Sequence, residues 1–449
     1  MHIILRAGMR PALLAAAALF LAGPASATSL ESEINGLLDS HPLIQAAKHG
    51  VQSAEQGVGA ARSGYLPVVR AQSDVGPNFT SSTMREGMYG KSFMRNGEYG
   101  AMTVTQHLYD GNATNASVDT ALSAKESSEA SLRMTRQNTI LEGVRAYLDI
   151  SRQLTLVRLA RENEHRLQTQ LHLENERVQR GSGMAVDVLS AKQRLQVAME
   201  RRIAFEGALQ QALARYQQVF GHPPEVSQAA RPPLPPVDLI PATLDDAITA
   251  AQSDNPALQV AQKNVEVSQH HIETARSGYM PTLDLVGRSD YGSYANGVAG
   301  MQRDWAVLLE LNWELFSGFK TEAQVAEASY DYGASKDNAN ETGRKVSEAV
   351  RMAWSQLATA RERLGLLENA VNLAHEVFDA RKKMHEAGKE TMINVLDAES
   401  NITNADITYA NADFDLRMAA YQLVHDMGRL EVANLDRRPP LNSPAPLAR

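Results

Sequence analysis

The chain has no cysteine among its 449 residues. This absence excludes disulfides, thiolate metal sites and thiol nucleophiles, and it leaves no cysteine that could carry an N-terminal lipid. The sequence also has no HExxH, GxSxG or P-loop motif, so three common enzyme signatures are missing. A formal net charge of −8 gives no basic surface of the kind that binds nucleic acid. We therefore expect no catalytic residues, no cofactor and no nucleic-acid partner.

Long apolar runs are scarce as well. The main one, PALLAAAALFLA at residues 11–22, is shorter than the roughly 20 residues that a membrane-spanning helix needs. It follows Arg6 and Arg10 and precedes ASA, an order typical of a secretory signal peptide, which we predict over residues 1–27. A buried N-terminal helix is the alternative. An exported chain without a helical anchor would have to be held in a membrane by a β-barrel.

Proline is absent from two long tracts, residues 78–222 and 282–438, whereas seven prolines fall within residues 222–241. Because proline disrupts helix interiors, this distribution predicts two long helical tracts joined by an extended linker. In the second tract, apolar residues from Val346 to Phe378 alternate in steps of four and three, which is the seam of a coiled coil. The first tract shows the same pattern more loosely.

A six-residue motif occurs twice, as RSGYLP at position 62 and RSGYMP at position 276, an offset of 214. The match extends over the preceding helical segment. Beyond the motif, Tyr109 aligns with Phe316 at an offset of 207, which then persists to the end of each copy. The protein is therefore a tandem duplication. The length change falls in the Gly-, Asn- and Ser-rich stretches 76–100 and 290–303, which we predict to be loop tips.

Alternating side chains predict β-strands beside these loops. In DWAVLLELNWELF, Trp305 and Trp313 lie on one apolar face with the leucines between them, while the opposite face is mostly polar. Tryptophan at both ends of an apolar strand face is typical of the aromatic girdles of a membrane barrel, and Tyr65 and Tyr279 would lie at the same interface. A strand of a soluble sandwich is the alternative. Strands are predicted at about 65–76, 98–109, 279–290 and 303–316.

Each copy is predicted as helix, strand, loop, strand, long helix, turn and helix. The four strands of one chain would leave sheet edges unpaired in lipid, so several subunits must share one barrel. Two chains would give eight strands, whereas three would give twelve and leave room for a passage. Each long helix has 68 residues and would extend roughly 100 Å at 1.5 Å per residue. The predicted segments are first copy 28–221 with helices 112–179 and 184–219, linker 222–243, second copy 244–430 with helices 319–386 and 391–427, and a disordered tail 431–449.

Together these features resemble the TolC family of outer-membrane efflux and type I secretion proteins. The resemblance rests on the signal peptide, the two copies, the SGYLP and SGYMP strand entries, YDG and FSG after the return strands, and DVLSA and NVLDA after the turns. It implies a homotrimer with a twelve-stranded barrel in the outer membrane lipid of a Gram-negative cell, continued by a periplasmic tunnel of helices. It also implies two partners, a periplasmic adaptor and an inner-membrane ABC or proton-driven transporter.

The resemblance further assigns residues at the tip of the tunnel. Gly181 and Gly388 are the turn glycines, and Asp397 and Asn394 occupy the pore constriction, where the family has two acids. The family's latch positions hold Asp187, His385 and Glu390. Contacts with the adaptor would involve Arg180, Ser182 and Lys389.

Three of these positions depart from the family pattern. With Asn394 in place of an acid, a three-fold ring would keep only the Asp397 carboxylates, which should still favour cations. With Glu390 in place of arginine, we predict that His385 pairs with Asp187, so that the latch loosens as the histidine loses its proton. Ordinary solvated polar residues at a helical turn are the alternative.

Many ducts dedicated to drug pumps are lipoproteins, and this chain has no cysteine to carry a lipid. The sequence therefore favours an outer-membrane duct of type I secretion. A drug-efflux duct is the alternative within this class. A periplasmic coiled-coil scaffold or adaptor would share the signal peptide and heptads but would not need the tryptophan-flanked strands. An exported enzyme would need a catalytic cluster. The adjacent pair His270 and His271 does not provide a metal site, since neighbouring side chains on a helix do not face each other.

Overall fold

The computed structural model describes residues 30–80, 93–181, 183–224, 235–294 and 300–435. The predicted signal peptide, Ser182, the middle of the linker, residues 81–92 and 295–299 of the predicted loop tips, and the chain beyond residue 435 lie outside the described residues. The other residues of the predicted loop tips lie mostly in strands, so the loops are shorter than predicted. Among the helices that the structure describes, none is both long and apolar enough to cross a membrane.

Both copies have the same order of elements, two short helices, two strands and two long helices, so the predicted mixed α and β fold class is confirmed. The first copy comprises α1 (Leu30–Ser40), α2 (Pro42–Arg62), β1 (Val68–Thr80), β2 (Phe93–Tyr109), α3 (Ala113–Gln179) and α4 (Ala185–Phe220). The second comprises α5 (Leu244–Asp254), α6 (Pro256–Ser277), β3 (Thr282–Ser293), β4 (Met301–Asn312), α7 (Lys320–Glu386) and α8 (Met392–Asp426).

The helix predicted at the start of each copy is in fact two helices. Pro42 and Pro256 each occupy the first turn of the second helix. Proline suits that position because the first turn leaves its N–H groups unbonded, and it drives the preceding residue out of the helical region. Asn255 also caps α6, since its side chain accepts a hydrogen bond from the Ala257 N–H at 2.9 Å.

The strands begin and end at different residues from those predicted. The two repeated motifs each end in a tight turn before proline, so β1 and β3 begin at Val68 and Thr282, three residues later than expected. β1 and β2 extend further toward the loop because backbone pairing does not need apolar side chains, and Gly76 pairs with Gly97. β4 ends at Asn312 because its partner β3 begins there.

The strands form one antiparallel sheet in the order β1-β2-β3-β4. β2 and β3 join the two copies, with Val104 opposite Gly287 and a bulge near His107. In the described residues β1 and β4 each pair on one side only, so both edges of the sheet are open.

The long helices α3 and α7 each have 67 residues and extend roughly 100 Å from the sheet. The main core lies where the short helices meet them. The predicted seam residue Val350 is buried there, together with Val144 and Ile150 of the first tract. A smaller apolar cluster, including Leu167 and Leu396, lies near the far ends of the helices.

The prediction that residues 431–449 are disordered is wrong for residues 431–435. The chain from residue 431 to 435 forms a single tight helical turn, Val432–Asn434. Leu430 and Leu435 on either side of it are fully buried in the main core. Burial of these two leucines orders the turn, a contribution that the polar composition of the tail concealed.

Candidate functional site

The four-stranded sheet has two chemically different faces. One face is mostly apolar and exposed, and it carries Val69, Phe79, Met102, Leu285, Trp305, Val307, Leu309 and Leu311. On the other face Tyr99 donates to Asp290 at 2.7 Å and His107 contacts Asp284 at 2.6 Å, both across the β2–β3 pair. One lipid-like face and one wet face are what the wall of a membrane channel requires.

The aromatic residues predicted at the membrane interface lie at the end of the sheet nearest the helices, with one exception. Tyr65 and Tyr279 are half exposed, and their backbone carbonyls accept equivalent hydrogen bonds, from Gln106 Nε2 at 3.1 Å and from Trp313 Nε1 at 3.2 Å. Trp305 lies within β4, with 83% of its surface exposed on the apolar face. Trp313 follows the last residue of β4.

Both tip turns are built around a left-handed glycine. Gly181 has φ +78° and Gly388 has φ +73°, a conformation that glycine adopts without a steric penalty. At the second turn the N–H of Gly388 bonds to His385 O and that of Lys389 to Met384 O, each at 2.9 Å. Arg180 at the first turn is exposed and pairs with Glu176 at 3.0 Å.

His385 does not pair with Asp187, contrary to the predicted latch. Its Nδ1 contacts the backbone oxygen of Glu390 at 2.8 Å, and its Nε2 contacts Arg177 and lies 3.8 Å from Glu174. His385 at the end of α7 reaches Arg177 and Glu174 of α3, so the acid within its reach belongs to α3 and not to α4. Asp187 is buried in the first turn of α4.

The constriction positions are also engaged in other contacts. Asp397 Oδ1 accepts a hydrogen bond from Arg194 Nη2 at 2.5 Å, so a guanidinium of α4 accompanies this carboxylate. The Asn394 side chain donates to Glu390, and this bond, together with the Thr391 N–H, lowers the pKa of the Glu390 carboxyl. Glu390 therefore accepts hydrogen bonds at the start of α8.

A buried polar network between α3 and α8 was missed by the sequence. Arg166 donates to Glu399 Oε1 and to Thr403 Oγ1, each at 3.2 Å. Thr403 donates in turn to Asn163 Oδ1 at 2.8 Å. Burial raises the pKa of the Glu399 carboxyl, and the charge of Arg166 lowers it in part. In the sequence, the only sign of this network is the polar character of Asn163 and Thr403 within amphipathic helices.

No metal centre accompanies these contacts within the described ranges, where no group of three or more His, Asp or Glu residues could hold an ion. His270 lies 3.8 Å from Glu273, its helical neighbour. This contact is an ordinary one between neighbouring turns of a helix.

The two copies also match a known protein family. A family model described as outer membrane efflux protein matches residues 34–222 and 247–429, once for each copy. The chain belongs to this family. As a member it is an outer-membrane efflux channel with a periplasmic helical domain, and not an enzyme.

Individual relatives cover nearly the whole chain at low identity. The outer membrane efflux protein BepC of Brucella suis is 23% identical over 94% of this chain and 91% of its own length. The alkaline protease secretion protein AprF of Pseudomonas aeruginosa is 24% identical over 89% of this chain and 84% of its own. A membrane protein from Pseudomonas aeruginosa of known crystal structure has the same fold, with a TM-score of 0.78, 20% identity, and coverage of 89% of this chain and 93% of that one.

Proposed function

We propose that three copies of this chain form the outer duct of a type I secretion system, working with a periplasmic adaptor and an inner-membrane ABC transporter. The observation that carries the proposal is a sheet with one apolar face, one polar face and two open edges, attached to helices roughly 100 Å long. Three such sheets would close a twelve-stranded barrel, in which β4 of one copy pairs with β1 of the next.

The duplication supports the trimer, because equivalent residues of the two copies have different surroundings. Ala116 of α3 is fully buried between α2 and α6, whereas its counterpart Ala323 of α7 is exposed. Likewise Ser123 is 6% exposed, and its counterpart Tyr330 is 80% exposed. The face of α7 that lacks a cover within the chain is the one that α2 of a second copy would cover.

The junction at the sheet shows the same asymmetry. A side chain at Gly111 would collide with Met280, whereas in the described part of the chain no atom beyond the adjoining residues lies within 4 Å of a Cβ added at the equivalent Gly318. By the repeat, the neighbour of Gly318 is Leu66 of the adjacent copy. Leu66 is exposed in the single chain and so is free to make that contact.

Two observations favour protein secretion over drug efflux. AprF is a relative named for secretion of a protease, and the chain has no cysteine for a lipid anchor. Drug efflux remains the second candidate, because BepC is named an efflux protein.

Deletion of the gene tests the choice. We expect one or more proteins to disappear from the culture medium while the minimum inhibitory concentrations of antibiotics and dyes stay unchanged. Plasmid-borne wild type is the control and should restore secretion. Lower inhibitory concentrations with an unchanged set of secreted proteins would establish efflux instead.

A further inference from the structure

The polar face of the sheet carries two arginines in one row across the strands. Arg70 of β1 lies opposite Thr103 of β2, which in turn lies opposite Arg288 of β3. Directly opposed residues point to the same face of a sheet, and Thr103 shares its face with Tyr99 and His107 because successive side chains alternate. Neighbouring strands are about 4.8 Å apart, so the two arginine Cα atoms are separated by roughly 10 Å. We call Arg70, Thr103 and Arg288 the arginine row.

The two guanidinium groups of this row are exposed and have no acid to neutralise them. Neither forms an ion pair or a hydrogen bond with any side chain in the part of the chain that the structure describes. The nearby acids, by contrast, have partners on the sheet. Asp74 accepts a hydrogen bond from Gln72 Nε2 at 3.0 Å, and Asp290 accepts one from Tyr99 at 2.7 Å. Each guanidinium therefore keeps its N–H donors for a ligand with an anionic oxygen.

A row of mostly apolar side chains adjoins the arginine row on the side nearer the helices. Val68, Thr105, Val286 and Leu308 lie opposite one another there, one on each strand. Val286 is buried, whereas Val68 and Leu308 are 40% and 41% exposed. We call these four residues the apolar row. Apolar walls have a low dielectric constant, so they strengthen the attraction between a nearby cation and an anion.

We propose that the arginine row and the apolar row together form a binding site for organic anions in the lumen of the barrel. The guanidinium groups bind a sulfonate or carboxylate, and the apolar row contacts the apolar body that carries it. Two arginines from each of three copies would place six guanidinium groups around one band of the lumen. This inference rests on the proposed trimeric barrel, but not on the choice between secretion and efflux.

Reaction rates of single thiols test the site, since the cysteine-free chain needs no background substitutions. Thr103→Cys places a thiol between the two arginines. Ala101→Cys is the matched control, because it lies on the same face one row further from the helices, between Gln72 and Asp290. Each purified full-length variant is treated at low salt, where charges are little screened, with two methanethiosulfonates of similar size. One reagent carries a sulfonate and the other a trimethylammonium group.

We expect the ratio of the anionic to the cationic rate constant to be about tenfold higher at Thr103→Cys than at Ala101→Cys, because such a band produces a potential of a few kT. Adding Arg70→Gln and Arg288→Gln should remove the difference. Equal ratios at the two positions with the arginines present would overturn the inference.

Protection measures binding itself. Naphthalenesulfonate should slow the modification of Thr103→Cys by a neutral methanethiosulfonate, and methanesulfonate, which lacks the apolar body, should slow it less. No protection, or equal protection by the two anions, would contradict the proposed site. Mass measurement of the detergent-extracted variants identifies a failure of the assembly. A monomer would refute the proposed trimer, whereas a trimer with equal rate ratios refutes only the anion site.

Discussion

Arg166 and Glu399 form an ion pair that is buried on the carboxylate side and partly exposed on the guanidinium side. Arg166→Gln should lower the free energy of unfolding by about 1–3 kcal/mol at neutral pH, less than for a fully buried pair because water screens the arginine. Burial already raises the pKa of Glu399, and loss of the arginine would raise it further. The protonated carboxyl is then favoured in the folded state, so the variant regains stability as the pH falls through that pKa.

Thermal unfolding in detergent at neutral and at mildly acidic pH measures this effect. Arg166→Gln combined with Glu399→Gln is the control, and it should recover most of the loss at neutral pH because no buried charge remains. An equal loss of stability for the single variant at both pH values would contradict the prediction.

Gly111 and Gly388 share a left-handed backbone but differ in their surroundings. Gly388→Ala should cost about 1 kcal/mol, because only the backbone conformation opposes a side chain there. Gly111→Ala should cost clearly more, since its Cβ would lie 2.6 Å from Met280 Cβ and 2.9 Å from Ser277 O. Unfolding temperatures of the two variants test this difference, and equal temperatures would refute it.

At the scale of elements, the alternation of β4 determines which substitutions the membrane tolerates. Val307 is exposed on the apolar face, whereas its neighbour Ala306 points to the opposite face with Asp304. Val307→Arg should cost about 2–4 kcal/mol near the middle of the bilayer, and Ala306→Arg should cost much less because it faces the polar side.

The amount of heat-modifiable oligomer in outer-membrane fractions is the measurement for this pair. We expect a marked decrease for Val307→Arg and near wild-type amounts for Ala306→Arg. Similar amounts for both variants would mean that the two faces of the sheet have been assigned wrongly.

At the scale of the whole molecule, assembly should depend on the uncovered face of α7. Ala323→Arg should prevent trimer formation, because the buried counterpart Ala116 shows that this face is covered when both neighbouring helices are present. Ala326→Arg is the matched control, since its counterpart Asp119 is exposed even though both neighbouring helices cover α3. Mass measurement of the detergent-extracted protein separates the outcomes, and a monomer in both cases or a trimer in both would contradict the assignment.

The sequence by itself determined the duplication, the long helices and the alternating strands. Periods of 3.5 and two residues and a repeated motif are properties of neighbouring positions, so they are visible without the fold. The glycines of the tip turns were predictable for the same reason, because a helical hairpin needs a left-handed residue at its end.

Only the tertiary structure decided which polar groups meet. His385 lies against Arg177 and Glu174, Asp397 against Arg194, and neither pairing follows from spacing along the chain. The strand ends likewise depended on where a partner strand begins. The ordered turn at residues 431–435 depended on two buried leucines. Contacts between distant segments depend on how helices are rotated and shifted against each other, which local periodicity leaves undetermined.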